Sequence, residues 1–94
     1  MGFQLNVTPD VRRTLQLLPL ALRNKLVQEL QRLANAPFQL SVERFDPRWP
    51  RAWEYVSDLE FQQHLHTFLV VWRPNSDGGS IDLLLIVHHD RGAI

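Results

Sequence analysis

Apolar residues along the chain change their period twice. At the start, Phe3, Leu5 and Val7 alternate with polar residues, the spacing of a half-buried strand. Thr8-Pro9-Asp10 then reads as a helix start. The Thr8 hydroxyl is placed to cap a free N–H of the first turn. Pro9 suits the first helical position, and Asp10 complements the positive end of the dipole. Val11, Leu15 and Leu18 follow at i, i+4 and i+7, and Pro19 ends this helix or begins the next. Leu22, Leu26, Leu30 and Leu33 form the clearest stripe in the chain, widened by Val27 and Ala34, with Asn35-Ala36-Pro37 closing the helix. Two short antiparallel helices are expected.

Phe38–Arg51 lacks a period and contains Asp46-Pro47-Arg48-Trp49-Pro50, which excludes a central strand. It reads as a loop pinned by Trp49. Beyond it the period returns to two. Ala52–Ser57 reads as a strand, Asp58–Glu60 as a turn, and His64–Trp72 and Ile81–His88 as two long strands joined by Arg73–Ser80. Gly78-Gly79 is free to take positive φ in that turn. The order is β-α-α-β-β-β. It predicts an α+β domain over residues 1–94, with a helical hairpin on one face of a small, mainly antiparallel sheet.

Alternation divides the last two strands into faces. The odd-numbered sets, Leu65 to Arg73 and Ile81 to His89, are expected to meet the helices. The even-numbered sets carry Phe68, Trp72, Leu84 and Ile86, and end in His64, His66, His88 and Asp90. If Arg73 lies opposite Ile81, His66 lies opposite His88 and His64 opposite Asp90, with Cβ atoms about 5 Å apart. A one-residue slip would break that register.

Composition narrows the functions. The chain has no cysteine, which excludes disulfides, cysteine-based zinc fingers and thiol catalysis. The opening MGFQLNVTPD lacks a signal-peptide pattern, Asn6 departs from a myristoylation start, and no apolar run reaches membrane-spanning length. The cytoplasm is the expected compartment, without a membrane partner. Ten basic residues balance ten acidic ones, which argues against strong non-specific nucleic-acid binding. Residues 10–35 nevertheless hold five basic and two acidic groups, leaving room for a local basic face.

The histidine end is the first candidate for chemistry. Such a cluster can work as general acid or base near neutral pH, hold a metal with Asp90 or Glu54, or form only local hydrogen bonds. No metal and no cofactor is the expectation adopted. Glu54, between Trp53 and Tyr55, is a second proton-transfer candidate, because apolar rings raise a carboxyl pKa. Trp49, Trp53, Tyr55 and Trp72 are candidates for stacking on bases or for the core. Phosphate loops, nucleophile elbows and metalloprotease motifs are absent from the sequence.

Over nearly its full length the layout resembles the RelE/ParE toxin superfamily of bacterial toxin–antitoxin systems. FQLNVTPDVRRTLQLLP resembles the family's strand and first helix, and ALRNKLVQELQRLANAP its second helix. AWEYV, FLVVW and IDLLLIVHHDRG resemble its three-strand meander. FLVVW is similar to the family's Tyr-Arg-Val-Ile-Tyr strand, and VHHDRG to its Val-x-His-Arg ending. The resemblance implies a RelE-like mRNA interferase, an endoribonuclease that cuts mRNA in the ribosome and is held by an antitoxin protein. It implies a modified site, since Phe68 or Leu69 stands where that strand carries arginine, and no C-terminal tyrosine follows. The residues left for RNA chemistry are His88, His66 and Glu54 for proton transfer, and Arg73, His89, Arg91 and Arg51 for substrate. The alternative is a non-catalytic protein-binding module on the same fold, including ParE-like inhibition of gyrase. A homodimer is a further partner state left open.

Overall fold

The computed structural model describes residues 2–94; Met1, part of the start motif discussed above, lies outside the described residues. The elements are β1 (Gln4–Val7), α1 (Pro9–Gln16), α2 (Leu20–Asn35), α3 (Pro37–Leu40), β2 (Val42–Glu43), β3 (Trp53–Phe61), β4 (His64–Pro74) and β5 (Ser80–Ala93). They build one five-stranded sheet in the order β1-β5-β4-β3-β2. β1 joins β5 in parallel, and the other pairings are antiparallel. The α+β reading therefore holds, with two additions. The stretch from residue 37 to 51 contributes the single-turn α3 and the two-residue β2, both too short to leave a period in the sequence.

The leucine stripe packs as its spacing demands. Leu22, Leu26, Leu30 and Leu33 are buried, as are Val11 of α1 and Leu18 in the bend between α1 and α2. α1 lies against β5 and α2 against β3. Tyr55 ties α2 to the sheet by donating its hydroxyl to Glu29 Oε2 at 3.1 Å. Burial and the Glu29 charge raise the Tyr55 pKa. The Thr8 hydroxyl does not cap α1. It donates instead to the Leu83 carbonyl at 2.9 Å, fastening the helix start to β5. Arg23 closes the α1–α2 corner through Nη2, which donates to the carbonyls of Gln16 and Leu18.

The expected faces of β4 are reversed. Phe68, Val70 and Trp72 join the helix-facing core, while Leu69 is only half-buried on the far side. On β5 the core takes Ile81 and Leu83 and then changes parity to Ile86. Two local events cause this. The turn pairs Arg73 with Asp82 rather than Ile81, a one-residue slip, and a bulge at Leu84 adds a second residue of offset, so Val71 pairs with Leu85 while Trp72 pairs with Leu83. An offset of two residues restores the original parity. His66 consequently lies opposite Asp90 and Phe68 opposite His88, yet His66 and His88 share a face as diagonal neighbours.

Two turns also differ from expectation. Asp58–Glu60 continues β3, and the chain reverses at Gln62-Gln63, whose φ values of 50° and 64° are those a two-residue type I′ hairpin requires. In the last hairpin only Gly78 uses positive φ, and Asp77 accepts from the N–H groups of Gly79 and Ser80 and from the Ser80 hydroxyl. The 44–51 loop is pinned by Asp46 rather than Trp49. The Asp46 carboxylate binds Arg44 and Arg48, whose hydrogen bonds hold its pKa far below the carboxylate range. Trp49 stays half-exposed beneath the Arg48 guanidinium, 4.3 Å from the ring centre.

Candidate functional site

The far ends of β4 and β5 carry the histidines, and α2 begins beside them. A shallow cavity of about 280 Å³ is bounded by Pro19 and Leu22 on the helix side and by Phe61, His64, His66 and His88 on the sheet side. Its rings form a stack. Phe68 lies under His88 at 4.6 Å and 10°, His88 meets His66 at 5.0 Å and 23°, and His64 continues the series at 6.3 Å. Phe61 closes the side of His66 edge-on. The wholly buried Phe68 thus serves as the floor of the pair, a role that alternation alone could not assign without the bulge.

Two polar contacts organise the stack. His66 Nδ1 and His88 Nε2 are 2.8 Å apart, so one of them donates a proton to the other. His64 Nδ1 lies 3.0 Å from Asp90 Oδ1. His66 is buried and His88 exposed, which leaves His88 as the member that meets an incoming molecule. The His88 pKa is lowered, chiefly because the ring is partly desolvated and secondarily because His66 is close. At neutral pH His88 is therefore neutral. The Asp90 pKa is lowered by the Gly92 N–H and by His64. Among the described residues no group of three or more His, Cys, Asp or Glu side chains is arranged to hold a metal ion.

The remaining candidates lie elsewhere. Glu54 pairs with Val71, five residues along β3 from the Leu59–His66 pair, on the face turned away from the helices. There it receives the Arg44 guanidinium at 3.1 Å. His89 and Arg91 are exposed at the histidine end, but alternation turns them to the face opposite His88. Arg73 is at the other end of the hairpin, 3.4 Å from Asp82, and Arg51 lies near it beside Pro50 and Pro74. The site thus unites His64, His66, His88 and Asp90 and leaves Glu54 and all four proposed substrate-binding residues outside it. The Pro19–Leu22 wall carries no signal in the sequence, since both residues already have structural reasons to be there.

No protein-family model matches the sequence, and no curated protein matches it either. Solved structures do. A chain of the RelBE2 toxin–antitoxin complex of Mycobacterium tuberculosis superposes with a TM-score of 0.71, covering 95% of this chain and 100% of its own length. The fold is RelE-like. At 13% identity the likeness is one of backbone. On this RelE-like sheet the histidine pair occupies the helix-facing side of the β4–β5 end, and the far side presents an apolar row. Val56, Leu69 and Val87 are cross-strand neighbours there, with Val56 and Val87 exposed. No helix among the described residues is long and apolar enough to cross a membrane.

Proposed function

We propose that this chain is the toxin component of a toxin–antitoxin pair, and that it cleaves RNA with the His66–His88 pair as its proton-transfer element. The observation that carries the chemistry is the 2.8 Å contact between a buried and an exposed imidazole in a cavity at the end of the sheet. In the tautomer where His88 Nε2–H donates to His66 Nδ1, the other nitrogen of His88 keeps its lone pair. His88 then accepts the proton of a ribose 2′-hydroxyl as that oxygen attacks the adjacent phosphate; the bond from phosphorus to the 5′-oxygen breaks, a 2′,3′-cyclic phosphate forms, and the departing 5′-oxygen takes its proton from water. His66 keeps the ring oriented and stabilises the imidazolium through the same hydrogen bond. The lowered His88 pKa favours the neutral base at cellular pH. Support for the toxin role comes from the RelE-like fold and from the toxin–antitoxin complex in which that neighbour was solved. An antitoxin protein and ribosome-bound mRNA are the partners this reading requires, with the protein working in the cytoplasm.

A second reading is favoured by one observation. Arg51 and Arg73 lie away from the histidines, Arg91 faces the other way, and the Val56–Leu69–Val87 row is open to solvent. A non-catalytic module that binds a protein through that row, gyrase included, uses no base at all. Induced expression in a bacterial host separates the two. Growth arrest with mRNA cleavage, both lost in His88→Ala, is the expected result. Arrest that persists in His88→Ala with intact mRNA transfers the function to the apolar row, and the absence of arrest in the wild type rejects the toxin role.

A further inference from the structure

A second cleft lies at the other end of the sheet. Trp53 pairs with Trp72 there, whereas Phe61 pairs with His64 at the histidine end. Those eight steps along β3 span about 26 Å at roughly 3.3 Å per residue. The cleft has a volume of about 450 Å³, and its walls include Phe38, Phe45, Trp53, Arg44, Arg51 and Glu43.

Its rings are held unequally. Trp53 stacks on the buried Trp72 at 5.7 Å and 19°, and Phe38 fixes it edge-on at 5.1 Å. The indole is therefore rigid yet half-exposed. Phe45 is the opposite case, 100% exposed with its ring wholly in water. A bare aromatic ring beside a clamped indole is an unfavourable surface unless a flat apolar body enters between them.

The charges are uneven too. Arg44 is neutralised by Asp46 at 3.2 Å and Glu54 at 3.1 Å. Arg51 is exposed, has no ion-pair partner among the described residues, and holds a φ of 65° that Gly or Asn would adopt with less strain. Glu43 is exposed on β2.

We propose that this cleft binds a nucleotide, its base stacked between Phe45 and the open face of Trp53 and its phosphate on the Arg51 guanidinium. Stacking tolerates any base, because every base has a π-face. The Glu43 carboxylate accepts from an exocyclic amino group, so adenine or cytosine is preferred to uracil. A free mononucleotide and a residue of single-stranded RNA present the same chemistry. The site stands on ring faces and an unpaired cation, so it fails or survives independently of the histidine pair.

The test uses the full chain carrying His88→Ala, so that no RNA is cut. Adenosine, AMP, UMP and a tetra-adenylate are titrated while Trp fluorescence and the Trp53 indole NMR signal are followed. AMP is expected to bind more tightly than adenosine or UMP. Phe45→Ala, at a fully exposed position that leaves the fold intact by circular dichroism, weakens AMP about tenfold. Arg51→Ala abolishes the advantage of AMP over adenosine. Tetra-adenylate tighter than AMP assigns the site to RNA, and equal affinity assigns it to free nucleotide. Failure of AMP and tetra-adenylate to bind overturns the proposal, as does binding that both variants leave unchanged.

Discussion

Phe68→Ala and Leu69→Ala empty opposite faces of β4, and their costs separate the observed sheet from the one that strict alternation predicts. Phe68 is 0% exposed and belongs to the helix-facing core, whereas Leu69 is half-buried between Val56 and Val87 on the far face. Removing a core phenylalanine costs about 3–5 kcal/mol through lost transfer energy and the remaining cavity. Truncating a half-buried leucine with one side in water costs about 1 kcal/mol. In a domain of this size each kcal/mol moves Tm by about 4–8 °C, so Phe68→Ala loses about 12–40 °C and Leu69→Ala less than about 10 °C. Urea unfolding followed by circular dichroism, with an unchanged m value, measures both. Equal costs, or a larger cost for Leu69→Ala, would show that the helices cover the odd-numbered side and that the bulge at Leu84 is misplaced. The gentler Phe68→Leu gives a second readout. It removes the ring stacked on His88 at 4.6 Å, and NMR titration should find the His88 pKa moved back toward the ordinary histidine value.

His88 also sets a pH dependence. Because its folded pKa is lowered, its contribution to stability is complete above about pH 6.5 and is lost as pH falls from there through the folded value, a slope in Tm that His88→Ala should remove. Tyr55→Phe removes a hydrogen bond to a carboxylate and should cost about 1–2 kcal/mol at neutral pH by urea unfolding. Since the folded Tyr55 pKa is raised, its stabilisation is complete below about pH 10 and disappears as pH rises through the folded value; Tyr55→Phe should lack that alkaline loss. Replacing Gln62-Gln63 by Asn-Gly puts better residues at two positive-φ positions and should raise stability by about 1 kcal/mol; a fall in Tm would show that the glutamine side chains contribute contacts of their own.

The helices were legible because a leucine every three or four residues admits one amphipathic reading, and Pro9, Pro19 and Pro37 mark their limits. The sheet was legible as strands but not as faces. Alternation fixes a face only while register is continuous, and neither the slip at Arg73 nor the extra Leu84 differs in composition from its apolar neighbours. The histidine pair came together as expected, although through a different register, because the two offsets add to a whole pleat. Glu54 was misjudged in its surroundings. Trp53 and Tyr55 flank it in sequence but point to the other face, and its actual neighbour is Arg44. The Thr8 hydroxyl had two partners within reach, a first-turn N–H from which to accept and the Leu83 carbonyl to which to donate, and the carbonyl supplied by the parallel β1–β5 pair prevailed.

The bulge at Leu84 makes β5 two segments that can diverge independently. Ser80–Leu83 pairs with both β1 and β4, while the residues beyond Leu84 carry His88 and Asp90. Deleting Leu84 would remove the bulge and leave every outer pair as it is, with His88 still opposite Phe68 and Asp90 opposite His66. Keeping Leu84 but flattening the bulge would instead slide the outer segment by one residue, turning His88 and Asp90 to the far face and Val87, His89 and Arg91 inward beneath α2. One step of register therefore separates a sheet end that presents paired imidazoles to the helices from one that presents a histidine and an arginine. Descendants of such a chain could exchange one chemistry for another without rebuilding the core.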